Sequence, residues 1–204
     1  MRLVNPLPIV VVDYAWMALG LFWLVLWWRT NKIKKRESTP VRWLDKVSIW
    51  GGYLALLELG PIKKLPSGVW GLPWTTWNHP LFSLAAALQY TGLTVTIAGV
   101  LLACWSRAVL GRYWSATVAL KEDHRLVQNG PYQFVRHPLY SGLLLTALGT
   151  TLTLDGLHCL LGLALLLAAF LSRARREDAL MASEFGENFA EYRRRTGQII
   201  PGIG

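Results

Sequence analysis

Two polar clusters flank the longest apolar stretch of the chain. Arg-His-Pro-Leu-Tyr, residues 136–140, stands where the stretch begins, and Arg173 and Glu177 stand just after it ends. Because Arg173 and Glu177 are four residues apart, they share one face of a helix. Arginine can hold an anionic group, and a carboxylate can balance a positive charge. Together the two clusters would suit a polar cofactor and an amphiphilic substrate, whereas an exposed ion pair is the simpler alternative for Arg173 and Glu177.

The apolar stretch itself predicts how the two clusters meet. Residues 139–171 contain only Asp155 and His158 as strongly polar interruptions. One helix of that length would be about 50 Å long, which is too long for a bilayer. The Asp-Gly dipeptide at its centre is a turn signal. We therefore predict an antiparallel hairpin of helices Leu139–Leu154 and Leu157–Leu171, which returns the second cluster to the first.

The first cluster lies at the start of a predicted helix. Pro138 suits the first helical turn, so Arg136 and His137 immediately precede a membrane helix. Free N–H groups and the positive end of the helix dipole at that point favour an anionic ligand group. Arg136 alone also fits an ordinary anchor at the membrane interface.

The composition indicates an integral membrane protein. Of the 204 residues, 53% are hydrophobic and 16% are charged, and the mean hydropathy is +0.32. Soluble domains average about 25% charged residues. Most of the 11 tryptophans lie near the ends of apolar runs, as in the aromatic belts of membrane proteins. The net charge of +9 is spread between apolar segments, and no nucleic-acid-binding module is visible.

Three further apolar runs precede the hairpin and predict an all-α membrane protein with about five transmembrane helices. They are Pro8–Trp28, the weaker run Trp43–Ile62, and Leu81–Trp105. The first run is long enough to span the bilayer, and no cleavable signal peptide is evident. Glu58 in the second run is either interfacial or lines an internal cavity.

The basic residues predict the orientation. Of the 21 Lys and Arg residues, 18 fall on the carboxyl-terminal side of five crossings. By the positive-inside rule, the large polar segments face the cytoplasm and the amino terminus lies on the opposite side.

The last segment predicts an amphipathic helix. Met181, Phe185, Phe189 and Tyr192 form one apolar stripe at helical spacing. Such a helix either lies on the membrane surface or folds back as a wall over a cytoplasmic site. The two cysteines, Cys104 and Cys159, lie in apolar runs without metal-ligand spacing, so no metal site is predicted.

Two motifs resemble one protein family. HRLVQNGPYQFVRHPLYSG, residues 124–142, and RARREDALMASEFGENFAEY, residues 173–192, resemble isoprenylcysteine carboxyl methyltransferases and their prokaryotic relatives. The wider group of similar membrane enzymes includes phospholipid N-methyltransferases. The resemblance covers about the carboxyl-terminal half, which divides the chain into amino-terminal transmembrane helices, residues 1–105, and a methyltransferase core, residues 106–204.

The resemblance implies S-adenosylmethionine as the cofactor, in a cytoplasmic pocket closed by a carboxyl-terminal helix. The residues that match cofactor-binding positions of the family are His124, Leu126, Val127, Tyr132, His137, Pro138, Tyr140 and Glu177. The arginine that matches Arg173 meets the substrate, so Arg173 and Glu177 are the expected catalytic pair. Asp178 stands where the family commonly has a second glutamate.

Methyl transfer to a carboxylate suits these residues. A carboxylate is already ionised at neutral pH and needs no general base, whereas an amine acceptor would want one. A lipophilic carboxylate is therefore the expected acceptor, with a phospholipid or small amine as the alternative.

Two other classes of protein stay open. Sterol-reductase-like proteins carry a similar Arg-His-Pro-x-Tyr, which would fit a nicotinamide-dependent reductase. Residues 1–105 alone would also fit a non-enzymatic membrane protein. Membrane lipids are expected partners, and no obligate protein partner is evident.

Overall fold

The computed structural model describes residues 6–26, 32–36, 39–57 and 86–203, and these are mostly helical. The helices are α1 Pro6–Leu26, α2 Thr39–Leu57, α3 Ala86–Leu110, α4 Pro138–Leu154, α5 Leu157–Phe185 and α6 Glu187–Arg195. Two short strands, β1 Ile33–Arg36 and β2 Ala119–Lys121, pair antiparallel. Short 3₁₀ turns cover Gly111–Tyr113 and Gly130–Gln133. Glu58 and the end of the predicted second run lie outside the described residues.

Three stretches of the described chain are long and apolar enough to span a membrane: Leu7–Leu26, Ala86–Tyr113 and Leu157–Phe185. Helix α4 is apolar but has only 17 residues. The predicted helical membrane fold is confirmed at this level. The crossing number of five stays a prediction.

The predicted hairpin is formed by α4 and α5. Helix α4 ends at Asp155, whose φ of 51° lies in the left-handed region, and Gly156 follows before α5 begins. The turn predicted from the Asp-Gly dipeptide is therefore confirmed.

The predicted end of the second arm at Leu171 is wrong. Helix α5 continues to Phe185 because neither glycine nor proline interrupts residues 172–185. It ends at Gly186, which has a φ of 51°. The apolar stripe of the last segment is consequently divided between α5 and α6.

Glycines bring the backbones of α3 and α4 into direct contact. A Cβ atom added to Gly99 would lie 2.4 Å from the Thr146 nitrogen, and one added to Gly142 would lie 2.6 Å from the Ala103 nitrogen. Close approach through small residues is a common way for membrane helices to associate. The contact fixes α4, and with it the start of the first polar cluster.

Helix α2 packs on α5 in the same way. A Cβ atom added to Gly162 would lie 2.7 Å from the Gly52 carbonyl oxygen. Nearer the polar end of α5, the Arg176 guanidinium forms an ion pair with Asp45 of α2. These contacts hold α2 against the arm that carries the second polar cluster.

Arg107 joins the ends of α1 and α3. Its guanidinium donates 2.9 Å hydrogen bonds to the carbonyl oxygens of Leu26 and Gly111 and lies 4.6 Å from the centre of the Trp114 ring. Nearer the middle of α1, the Trp16 indole N–H donates to the Thr150 hydroxyl at 3.0 Å. Helix α1 is therefore held by both α3 and α4.

Candidate active site

One cavity of about 780 Å³ lies among α1, α2, α4, α5, α6 and the polar segment that follows α3. One part of the cavity is lined by charged and polar side chains: Arg136, His137, Tyr140, Arg173, Glu177 and Asp178. Another part is lined by large apolar side chains of the amino-terminal helices: Trp16, Leu19, Trp23, Leu24, Ile49, Trp50 and Tyr53. The cavity therefore joins a polar compartment to an apolar one.

Nearly all the residues predicted from sequence face this cavity. Its lining includes His124, Leu126, Val127, Tyr132, His137, Tyr140, Arg173 and Glu177. Pro138 does not line it. Instead, Pro138 is buried in the first turn of α4, where it sets the direction in which that helix leaves the site.

Glu177 lies at the centre of the polar compartment. Its Oε1 atom accepts hydrogen bonds from the Tyr140 hydroxyl at 2.7 Å and from Arg173 Nε at 3.3 Å. Its Oε2 atom lies 3.4 Å from His137 Nδ1. One carboxylate of α5 therefore binds side chains from both arms of the hairpin, as the sequence predicted.

Asp178 holds the other side of the His137 ring. Its Oδ1 atom lies 2.8 Å from His137 Nε2, so the imidazole stands between two carboxylates. Burial lowers the pKa of His137, but its hydrogen bonds to Asp178 and Glu177 outweigh burial, and the pKa lies above its ordinary value. The arrangement favours an imidazolium with both ring N–H groups donating.

Aromatic stacking supports these polar contacts. The rings of His137 and Tyr140 are parallel within 7° with centroids 5.4 Å apart, and Phe170 stacks on the other face of Tyr140 at 5.0 Å. The Arg173 guanidinium carbon lies 5.8 Å from the Tyr140 ring centre. All three rings line the cavity.

Arg173 also connects α5 to the polar segment after α3. Its Nη2 atom donates to the Ser115 carbonyl oxygen at 3.3 Å. The side chain is 8% exposed, so the alternative of an exposed ion pair is wrong.

The interfacial-anchor interpretation of Arg136 is also wrong. The Arg136 side chain is only 2% exposed, and its Nε donates to Asp178 Oδ2 at 3.2 Å. Nη1 donates to the carbonyl oxygens of Arg193 and Thr196, where α6 ends. A cation at a helix carboxyl terminus is favourable, and here it fixes α6 against the site.

Helix α6 forms one wall of the cavity. Phe189 and Tyr192 are buried and line it together with Met181 of α5. The Tyr192 hydroxyl donates to the Tyr132 carbonyl oxygen at 2.6 Å. These contacts favour the wall interpretation of the last segment over a helix lying on the membrane surface.

Several residues of the site had no sequence signal. Gln198 Nε2 donates to Asp178 Oδ2 at 2.9 Å, and Ser115 contributes only its backbone oxygen. Asp45 of α2 also lines the cavity, although the sequence predicts only a membrane helix for that run and no role for this residue. Among the residues that the structure describes, no cluster of three or more His, Cys, Asp or Glu is placed to hold a metal ion.

The fold and this cavity define a helical membrane protein with a polar cluster beside an apolar compartment. Residues 91–183 match the isoprenylcysteine carboxyl methyltransferase (ICMT) family. The matched segment contains both polar clusters and the whole of α4. Over these residues the chain is similar to this family.

Individual relatives are similar over part of their length. The chain is 39% identical over 94 residues to the protein-S-isoprenylcysteine O-methyltransferase of Schizosaccharomyces pombe, covering 45% of this chain and 40% of that protein. It is 38% identical over 128 residues to the cobalt-zinc-cadmium resistance protein CzcN of Cupriavidus metallidurans, covering 62% and 52%. The chain thus spans about half the length of the curated relatives it matches.

A solved structure shares the fold. The eukaryotic intramembrane Ras methyltransferase ICMT aligns with a TM-score of 0.50 and 25% sequence identity, covering 82% of this chain and 54% of that chain. Since the alignment covers most of this chain, the likeness extends beyond the residues that match the family.

Proposed function

We propose that the chain is an integral membrane methyltransferase that moves a methyl group from S-adenosylmethionine to the carboxylate of a lipophilic acceptor of the isoprenylcysteine type. The observation that carries the proposal is the cluster of Tyr140, His137 and Arg173 around Glu177 in a cavity with both polar and apolar compartments. The family match favours this class over a nicotinamide-dependent reductase and over a non-enzymatic membrane protein.

The cavity fits the cofactor in size and chemistry. Ligand pockets commonly measure about 300–1,000 Å³, so 780 Å³ has room for a cofactor and part of an acceptor. The polar compartment offers carboxylates for the cationic groups of the cofactor and N–H donors for its carboxylate. Glu177 Oε2 lies 3.4 Å from His137 Nδ1, and a carboxylate oxygen has the capacity to accept a further hydrogen bond.

The protein's task in the reaction is positioning. When bound, S-adenosylmethionine would supply a methyl group on a positively charged sulfur; the acceptor's ionised carboxylate oxygen would bond to the methyl carbon while the sulfur leaves as a neutral thioether. Arg173 holds the acceptor carboxylate through its guanidinium, while Glu177 balances the positive charge opposite it. The stacked rings of Tyr140 and Phe170 exclude water from the reacting groups.

The apolar compartment provides room for the lipophilic part of the acceptor. Trp16, Trp23 and Trp50 offer broad apolar surfaces there. On this basis, residues 1–105 shape the acceptor compartment and residues 106–204 form the cofactor site. The basic residues favour a cytoplasmic site with the amino terminus on the opposite side of five crossings.

Calorimetric titration of the purified protein with S-adenosylhomocysteine tests the proposal. This product analogue should bind saturably to the folded wild-type chain in lipid nanodiscs. NADPH, titrated in the same way, should not bind. Absence of S-adenosylhomocysteine binding at millimolar ligand would overturn the proposed function.

A further inference from the structure

The segment after α6 turns back to the site and pairs with the residues that precede α4. Three backbone hydrogen bonds join them: Gly197 N to Phe134 O at 3.2 Å, Arg136 N to Gly197 O at 2.8 Å, and His137 N to Gln198 O at 3.0 Å. The backbones of Arg136 and His137, whose side chains enter the cavity, are therefore fixed by the last residues of the chain.

The same segment also reaches the site through a side chain. Gln198 Nε2 donates to Asp178 Oδ2 at 2.9 Å, which leaves Oδ1 of the same carboxylate directed at His137 Nε2, 2.8 Å away. Arg136 shares Oδ2 with Gln198. The amide supplies a neutral donor, so it orients the carboxylate without changing the charge of the site.

The segment is folded into a compact turn of its own. Gln198 N donates to the Ile203 carbonyl oxygen at 2.7 Å, and Ile203 N donates to that of Ile200 at 3.1 Å. A Cβ atom on Gly197 would lie 2.0 Å from the Ile200 oxygen, so only glycine fits there. The Ser141 hydroxyl of α4 donates to the Ile199 oxygen at 2.5 Å and docks the turn on the membrane helix.

We infer that residues 196–203 are a strap that assembles the site, and that Gln198 is a positioning residue that acts through Asp178 on His137. The inference rests on the proposed function insofar as His137 belongs to the cofactor site. The strap gives Asp178 a role distinct from that of Glu177: Glu177 faces the ligand, and Asp178 links the strap to His137.

The pKa of His137 depends on whether the strap holds Asp178 in place, so its titration tests the inference directly. The charged groups that face the ring are Glu177 and Asp178 of α5, Tyr140 stacks on it, and the strap adds no charge. In Gln198→Met the side chain keeps its length but loses the donor. Asp178 Oδ2 then keeps its contact with Arg136 but loses that with Gln198, so Oδ1 is held less firmly toward His137, which lowers the His137 pKa.

The test uses the full cofactor-free chain in nanodiscs with ¹³C-labelled histidine. The chain has four histidines and therefore gives few signals. The signal that disappears in His137→Gln is that of His137. In Gln198→Met the His137 midpoint should fall by about half a pH unit or more. S-adenosylhomocysteine affinity should fall about tenfold, because His137 in the lining of the cavity is then less firmly positioned. Gln128→Met, the same change at an exposed position, should leave both unchanged.

An unaltered His137 midpoint in folded Gln198→Met would overturn the inference. If that variant does not fold, Ser141→Ala removes the contacts of this hydroxyl with the Ile199 and His137 carbonyl oxygens and leaves the Asp178 contacts in place, and it should lower the midpoint in the same direction. An unchanged midpoint in Ser141→Ala would then count against the strap. Failure of the wild type to bind S-adenosylhomocysteine would instead reject the proposed function, and the His137 titration would still decide the role of the strap.

Discussion

The hydroxyl of Tyr140 donates a 2.7 Å hydrogen bond to Glu177, although 37 residues separate the two in sequence. Tyr140 lies in the first turn of α4, and Glu177 lies in the second half of α5. The long α5 therefore carries its carboxylate past the apolar layer to the polar end of its partner. This single contact places both polar clusters of the sequence in one site.

Replacement of the central carboxylate should abolish cofactor binding. In Glu177→Gln the side chain keeps its size and one acceptor oxygen for Tyr140 and Arg173, but it loses the charge, and an amide nitrogen in place of Oε2 cannot accept from His137. Hydrogen bonds to charged groups contribute about 1.5–3 kcal/mol each, so S-adenosylhomocysteine affinity should fall at least about tenfold in calorimetry. Glu187→Gln, at an exposed position of α6, should bind like the wild type. Near-normal affinity in Glu177→Gln would remove this residue from the site.

Replacement of Arg173 should affect turnover more than cofactor binding. Arg173→Lys keeps a positive charge but loses the planar fork that can hold a carboxylate through two donors. We expect kcat/KM for the acceptor to fall by about 100-fold, on the order of 3 kcal/mol. The affinity for S-adenosylhomocysteine should stay within about threefold, equivalent to less than 1 kcal/mol. Arg175→Lys, on the exposed face of the same helix, is the matched control. Equal losses in affinity and turnover would place Arg173 at the cofactor instead.

The raised pKa of His137 should make stability depend on pH. A group whose pKa is higher in the folded state contributes stability that is fully present below its unfolded pKa, about 6.5, and is lost as the pH rises through the folded value. Thermal unfolding from pH 5 to 9 should therefore show the wild type losing stability above about pH 6.5 relative to His137→Gln. A constant difference between the two proteins across this range would contradict the site described for His137.

The apolar compartment should control the acceptor and not the cofactor. Ile49→Trp adds a large side chain where α2 lines the cavity. Val47→Trp adds the same side chain elsewhere on α2, at a residue that is 67% exposed. Filling the compartment should lower kcat/KM for a lipophilic acceptor at least about tenfold, because overpacking commonly costs about 1–3 kcal/mol. The affinity for S-adenosylhomocysteine should not change in either variant. Equal activities of Ile49→Trp and Val47→Trp would place the acceptor elsewhere.

Local sequence patterns predicted the hairpin and the position of both clusters. The Asp-Gly dipeptide marks the turn at Asp155, and four-residue spacing places Arg173 and Glu177 on one face of α5. Both signals are local, so they can be read without knowing the rest of the fold. The end of α5 was misplaced at Leu171 because the change from apolar to charged sequence marks the edge of a membrane and not the end of a helix.

Contacts between distant segments could not be predicted in this way. Arg136 resembles an interfacial anchor in sequence, yet it is buried because α6 and Asp178 close over it. Gln198 reaches Asp178 only because the chain reverses after α6, and the pairing of β1 with β2 likewise joins segments far apart in the chain. The Pro201-Gly202 dipeptide signals a turn in the last segment, but no local pattern indicates which distant residues these segments reach.

Methyl transfer to a defined acceptor tests the central claim most directly. The purified chain in nanodiscs is incubated with methyl-labelled S-adenosylmethionine and N-acetyl-S-farnesylcysteine, with the acceptor's carboxamide as the matched control. The proposed function predicts label in the lipophilic product, released as methanol by mild base because it is held in an ester, and no transfer to the carboxamide. Label that withstands base, or no transfer to the carboxylate by protein that binds S-adenosylhomocysteine, would contradict it.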